Sequence, residues 1–115
     1  MWPKRLIQVG FVRYIVEVDN EKTTWKTWDG HIHRENDLPA IEYNNGDKIW
    51  YENGVKHREG KPAVIFVDGH QEWWFKGNLH REDGPAIIRK SGRSIYFVKG
   101  EEQTKKHWSR RFKKK

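Results

Sequence analysis

Three histidine–arginine pairs recur along the chain: His33-Arg34, His57-Arg58 and His80-Arg81. Each is followed by a glutamate (Glu35, Glu59, Glu82) and then by Pro-Ala, at Pro39-Ala40, Pro62-Ala63 and Pro85-Ala86. Imidazole beside guanidinium and carboxylate is chemistry for proton transfer or for holding anions. A catalytic base, however, is needed once per site and with its own orienting partner. If each copy belongs to a unit of two strands, equivalent positions lie about 10 Å apart. Copies so spaced cannot converge on one substrate atom. The pairs are therefore expected to build the repeat, the histidines capping loop carbonyls and the arginines bridging to the following Glu or Asp. The alternative is a ladder in which Arg34, Arg58 and Arg81 track a phosphate backbone, with the adjacent glutamates cancelling its charge locally.

Other chemistry is thin. His31 and His33 alternate on a strand near Asp29, which is compatible with a metal, but no fourth ligand is evident. No nucleophile elbow, phosphate-cradling glycine loop or zincin helix is present. Neither a cofactor nor a catalytic residue is expected, and enzyme is the least supported class.

The strongest chemical signal is the end of the chain, where Lys105, Lys106, Arg110, Arg111, Lys113, Lys114 and Lys115 interleave with Trp108 and Phe112. Cations of this kind neutralise phosphates and release counterions, while the rings stack on bases. The net charge is +7. Residues 101–115 hold seven Lys/Arg against two Asp/Glu, while residues 31–100 hold eleven against ten. An electrostatic partner is expected at the C-terminal end first.

The elements that carry these residues follow from glycine spacing. Gly46, Gly69 and Gly92 are 23 apart, and Gly54, Gly77 and Gly100 keep the same step. A fixed period of this length means stacked copies of one supersecondary unit. From Pro62, the run Ala63–Val67 reads as a strand, Asp68-Gly69 as a turn, Gln71–Phe75 as the return strand and Lys76-Gly77 as the next turn. Aligned return strands give two aromatic columns: Trp50, Trp73, Tyr96 and Tyr51, Trp74, Phe97. Strand alternation places them on opposite faces of the sheet. One column is expected to be core. The other is either covered by the termini or forms an exposed platform for bases or a partner.

The chain reads as residues 1–22, one or two strands capping the sheet; residues 23–100, hairpin repeats beginning with a partial copy around Trp25 and Trp28; and residues 101–115, a short basic helix or tail. Glu101–Phe112 shows no β signal, and its early acids and late bases suit a helix dipole. The fold class is all-β, an antiparallel hairpin meander. With 14% aromatic residues the 115-residue chain suits one ordered domain. There is no cysteine, which excludes disulfides and Cys-ligated zinc and suits a reducing, cytoplasmic setting. No apolar run marks a signal peptide or membrane span.

The skeleton Gly69-x-x-x-Trp73-x-x-x-Gly77-x-x-His80 resembles MORN-type repeats. A nearer likeness is the variant with repeated His-Arg-x-x-Gly-Pro-Ala, complete from His80 to Ala86, which resembles repeats of small bacteriophage and bacterial proteins. Arg58 and Arg81 stand where the usual MORN pattern has Gly. The resemblance covers about residues 23–100. It implies stacked β-hairpins, protein or lipid contacts and no catalysis. By the same analogy it implies an antitoxin-like, host-defence inhibitor role in the host cytoplasm.

The leading functional reading is a non-enzymatic nucleic-acid binder, RNA ahead of duplex DNA, because exposed aromatics suit unstacked bases. Lys105, Lys106, Arg110, Arg111 and Lys113–Lys115 would hold phosphates, with Trp108 and one of Trp50 or Trp73 stacking. The alternatives are a protein-interaction module docking its aromatic face on a host toxin or defence enzyme, and a binder of anionic lipid. Sheet edges also invite self-association.

Overall fold

The computed structural model of the chain describes residues 4–112. Ten strands follow one another in a single antiparallel sheet, measuring with its excursions 50 × 29 × 20 Å. It opens with β1 (Lys4–Val9), β2 (Val12–Val18) and β3 (Lys22–Thr27), continues with β4 (Ile41–Tyr43) and β5 (Lys48–Ile49), and leaves the sheet for a small hairpin, β6 (Tyr51–Glu52) and β7 (Val55–Lys56). The sheet resumes with β8 (Val64–Ile65) and β9 (Gln71–Glu72), and a second small hairpin follows, β10 (Trp74–Phe75) and β11 (Asn78–Leu79). Then come β12 (Ile87–Ile88), β13 (Ser94–Val98), β14 (Glu101–Gln103) and the helix α1 (Lys105–Phe112).

Each unit thus has four short strands where the sequence predicts two. The expected return strand Gln71–Phe75 breaks at Trp73. The Trp73 N–H donates to Ala86 O at 2.7 Å, and its carbonyl accepts from His80 N at 3.1 Å. Glu72 therefore stays in the main sheet while Trp74 starts the small hairpin. The same switch occurs at Trp50, whose N–H donates to Ala63 O at 2.7 Å.

Two kinds of turn keep the period. At the main-sheet turns, Phe66 N–H donates to His70 O, and Gly69 closes the loop at a φ of 102° that a side chain would strain. At the small hairpins, Lys76 and Gly77 both have positive φ, 48° and 86°. That geometry matches the right-handed twist of the flanking strands.

One apolar cluster lies on one face, while Val16, Ala40, Trp50, Ala63 and Ala86 are buried on the other. Ile41, Ile49 and Val64 meet through the registers Ile41↔Ile49 and Ile49↔Val64, and Tyr43, Tyr51, Phe66 and Trp74 pack against them. Tyr51 and Trp74, from one expected aromatic column, are therefore core cover. Glu72 pairs in register with Val64 and Ile87 on this apolar row. Its carboxylate accepts from His70 Nε2 and Trp74 Nε1, both at 2.7 Å.

The ends differ from expectation in one place. Residues 101–103 form a strand, β14, against Val98, Phe97 and Tyr96, and only residues 105–112 are helical. The Lys99-Gly100 turn, with φ of 51° and 84°, sends the chain straight back along β13 and overrides the helical reading of Glu101 and Glu102. Thr104 then caps α1, its Oγ1 accepting from His107 N at 3.1 Å. Two lysines rather than acids fill the first turn.

Candidate functional site

The three arginines do not project as a ladder. Arg34, Arg58 and Arg81 lie flat on Trp25, Trp50 and Trp73, with guanidinium-to-ring distances of 3.7, 3.7 and 3.8 Å. Each donates through Nη1 to a proline carbonyl, Pro39, Pro62 and Pro85, at 3.2, 3.1 and 3.1 Å. Beside each ring sits an alanine with no exposed surface, Ala40, Ala63 or Ala86. The Pro-Ala pair thus has a physical reason. Proline offers a carbonyl to the arginine, and only a small side chain leaves room for the stacked pair. Gly84 serves the same packing, since a Cβ there would come within 2.7 Å of Arg81 Cζ.

The arginines also find carboxylates, but not always the next ones. Arg81 Nε reaches Asp83 at 2.8 Å as expected, and Arg34 reaches Glu42 at 3.3 Å. Arg58 reaches back to Asp37 of the preceding unit, Nε to Oδ1 at 2.8 Å and Nη2 to Oδ2 at 3.2 Å. Hydrogen bonding from Arg58, with its charge, outweighs burial and holds the Asp37 carboxyl below its ordinary range.

The histidines reverse their expected role. Their Nδ1 atoms accept rather than cap carbonyls: His33 from Asn53 N at 3.0 Å, His57 from Lys76 N at 2.8 Å and His80 from Lys99 N at 2.9 Å. Each donor belongs to the next unit and has a positive φ. An accepting Nδ1 leaves the ring proton on Nε2, which faces Glu35, Glu59 and Glu82 respectively. His33 is thereby engaged twice, while His31 pairs separately with Asp29 at 3.3 Å. Among the described residues no group of three or more metal-ligating side chains is brought together.

These contacts dispose of the stacking platform. Trp50 is 7% exposed and covered by Arg58, and Trp73 is half-buried beneath Arg81. Trp25, in the copy that the sequence marks as partial, makes the same contacts as the other two: its N–H donates to Ala40 O, and its carbonyl accepts from His33 N. Guanidinium groups cover Trp50 and Trp73 of this column, and only Tyr96 is covered by a terminus. The grooves between units, lined by His33, Trp50 and Arg58 or by Phe75, His80 and Arg81, hold about 260 and 360 Å³.

The array ends differently. Tyr96 occupies the fourth ring position, and the residues one period after His80 and Arg81 are Gln103 and Thr104. Trp108 of α1 takes the vacant place. Its ring lies 4.7 Å from Tyr96, and its Nε1 donates to Arg81 O at 3.1 Å. Phe112 packs behind it, 6.0 Å from its ring. Trp108 is therefore a cap on the stack, and its ring is not free to receive a base. Phe97 is half-buried in β13, where its carbonyl accepts from Arg81 N at 3.2 Å.

The last elements of the chain, from β12 to α1, also carry its basic residues. Residues 87–112 carry eight Lys/Arg against two Asp/Glu, whereas residues 4–86 carry twelve against fourteen. Arg89, Lys90, Arg93 and Lys99 join Lys105, Lys106, Arg110 and Arg111, and among the described residues none of the eight is in an ion pair. β14 runs antiparallel to β13 and so delivers α1 towards the turn that bears Arg89, Lys90 and Arg93. The charge of that turn was not joined to the tail's in sequence, because the direction in which α1 leaves the sheet depends on the strand order. Lys113, Lys114 and Lys115 lie outside the described residues.

The fold and site define a class: an antiparallel β-hairpin sheet closed by one short basic helix. No family model, curated protein or solved structure matches the chain. No helix among the described residues is long and apolar enough to cross a membrane.

Proposed function

We propose that this protein is a non-enzymatic nucleic-acid binder that grips the phosphate backbone with its C-terminal end. One observation carries the reading: Arg89, Lys90, Arg93, Lys99, Lys105, Lys106, Arg110 and Arg111, none of them in an ion pair among the described residues, fall in the last elements, β12 to α1, of an otherwise acid-balanced chain. Such a run of cations draws in polyanions and gains affinity from counterion release. The expected RNA preference rested on free rings at Trp50, Trp73 and Trp108. Those rings are occupied within the fold, so the proposed contact is with phosphates, on RNA and DNA alike. Competing with a host enzyme or toxin for its nucleic acid is the inhibitory role this mode supports. The MORN-type architecture is proposed alongside it, supported by the recurrence of the Trp–Arg–Pro contacts in three successive units.

The test is binding of the full chain to single-stranded RNA and duplex DNA across a salt series. The expected result is a log–log slope of about −3 or steeper. Arg89→Glu with Arg93→Glu should weaken binding to both nucleic acids as strongly as Arg110→Glu with Arg111→Glu. Failure of the wild-type chain to bind either nucleic acid at low salt would overturn the reading.

A further inference from the structure

The two edges of the sheet are unlike. β14 is three residues long, exposes Glu101 and Glu102 and runs directly into α1, so its free edge is short and acidic. β1 is six residues long and terminal in the sheet, with Leu6 70% exposed and Val9 and the turn residue Phe11 exposed beside it. Native edges of this length are usually blunted by charge, proline or a bulge. Here the charges, Lys4 and Arg5, sit at one end only.

We propose that β1 pairs antiparallel with β1 of a second copy, in a two-fold register centred on Leu6. The register follows from the backbone. The two-residue loop Gly10-Phe11 closes on the pair Val9↔Val12, whose N–H and C=O groups face each other. Alternation then turns the backbone groups of Lys4, Leu6 and Gln8 outward, away from β2. A two-fold axis perpendicular to the sheet keeps each face continuous, so only residues of like parity can oppose one another. Centring on Leu6 sets Leu6 against Leu6 of the second copy and Lys4 against its Gln8, with every outward N–H and C=O paired.

Charge and strand length together select this arrangement. Centring on Arg5 would oppose two guanidinium groups, centring on Ile7 would leave Lys4 against the turn residue Gly10, and centring on Gln8 would leave Leu6 against it. Pairing β14 with β14 would oppose two Glu102 carboxylates. Pairing β1 with β14 would engage only the three residues of β14 and, being head-to-tail, would continue as an open chain of copies rather than close as a dimer. The Leu6 register opposes no like charges. It also extends an apolar row, because Leu6 pairs with Ile15 within the chain and meets the same pair across the seam. The product is one continuous sheet with a basic end at each extremity.

Sedimentation equilibrium of the full chain tests this, with the expected mass twice 13.9 kDa. Leu6→Lys, at an exposed position, should give a folded monomer. Because the chain has no cysteine, Leu6→Cys should oxidise to a covalent dimer, since facing Cα atoms about 5.5 Å apart suit a disulfide. Lys4→Cys or Gln8→Cys alone should not crosslink, while a mixture of the two should. A wild-type monomer into the high micromolar range, or crosslinking by Lys4→Cys as ready as by Leu6→Cys, would overturn the proposal. Nucleic acid takes no part in these measurements, so they succeed or fail independently of the proposed function.

Discussion

His57 Nδ1 accepts the backbone N–H of Lys76 at 2.8 Å, and Lys76 has a φ of 48°. A side chain of one unit thus holds the turn of the next in a conformation that costs an L-residue about 1–2 kcal/mol. The relationship repeats between His33 and Asn53 and between His80 and Lys99. The recurrence of the histidine at the repeat period thus has a structural reason, since it couples neighbouring units.

Replacing His57 tests the coupling. His57→Ala leaves the Lys76 N–H without its acceptor and should cost about 1–3 kcal/mol in urea unfolding. In His57→Asn the amide oxygen falls close to the position of Nδ1, so this variant should recover a clear part of the loss. Equal losses in both variants would mean the ring acts by packing alone, against Phe75 at 4.8 Å.

Arg58 combines a stack on Trp50, a bond to Pro62 O and a two-point contact with Asp37. A lysine carries the charge but not the plane or the fork. Arg58→Lys should therefore destabilise the chain by about 2 kcal/mol. Lys61→Ala, an exposed neighbour of the same acid, should stay within about 0.5 kcal/mol. A cost for Arg58→Lys no greater than for Lys61→Ala would refute the stacked role.

Acid should weaken the fold through Glu72. Burial alone would raise its pKa, but hydrogen bonds from His70 and Trp74 outweigh that, and the group sits below its ordinary value of 4.5. A carboxyl lowered in the folded state adds stability that is complete above that ordinary value and is lost as pH falls through the folded one. Thermal melts from neutral pH downward should show Tm falling below about pH 4.5. In Glu72→Gln the fall should be shallower and the neutral-pH Tm lower. An unchanged acid profile in that variant would exclude Glu72 as a contributor.

Trp108 separates structure from binding. Trp108→Ala uncovers Tyr96 and removes the bond to Arg81 O, so Tm should drop, by about 1–3 kcal/mol of stability. The salt dependence of nucleic-acid binding, measured well below that Tm, should keep its slope, since no phosphate-contacting charge is lost. A collapse of RNA affinity with duplex DNA binding intact would instead return Trp108 to a base-stacking role.

What was legible in the sequence was what local chemistry dictates. Glycine at a fixed step marks positions of positive φ, and the Pro-Ala and His-Arg phrases mark parts that recur because each unit needs them. Alternation put Trp50 and Tyr51 on different sides, and the structure packs Tyr51 on the apolar core and Trp50 under Arg58. Glu101 and Glu102 were misread because two acids before a basic run satisfy a helix dipole, whereas a closing turn at Lys99-Gly100 commits them to a strand.

The sequence by itself determined the period, the hairpin character and the basic end of this chain, since all three rest on spacing, turn conformation and charge count. Only the tertiary structure decided who partners whom. Trp25, Trp50, Trp73 and Tyr96 each present one ring face, and a base, an arginine or another ring would each satisfy it. The chain turning back after each of the first three lays the arginine eight or nine residues on over the ring, and α1 brings Trp108 to the last. Arg58 likewise chose Asp37, 21 residues back, over Glu59 beside it. Such choices depend on the register between neighbouring units, which sets distances that no single unit's residues encode.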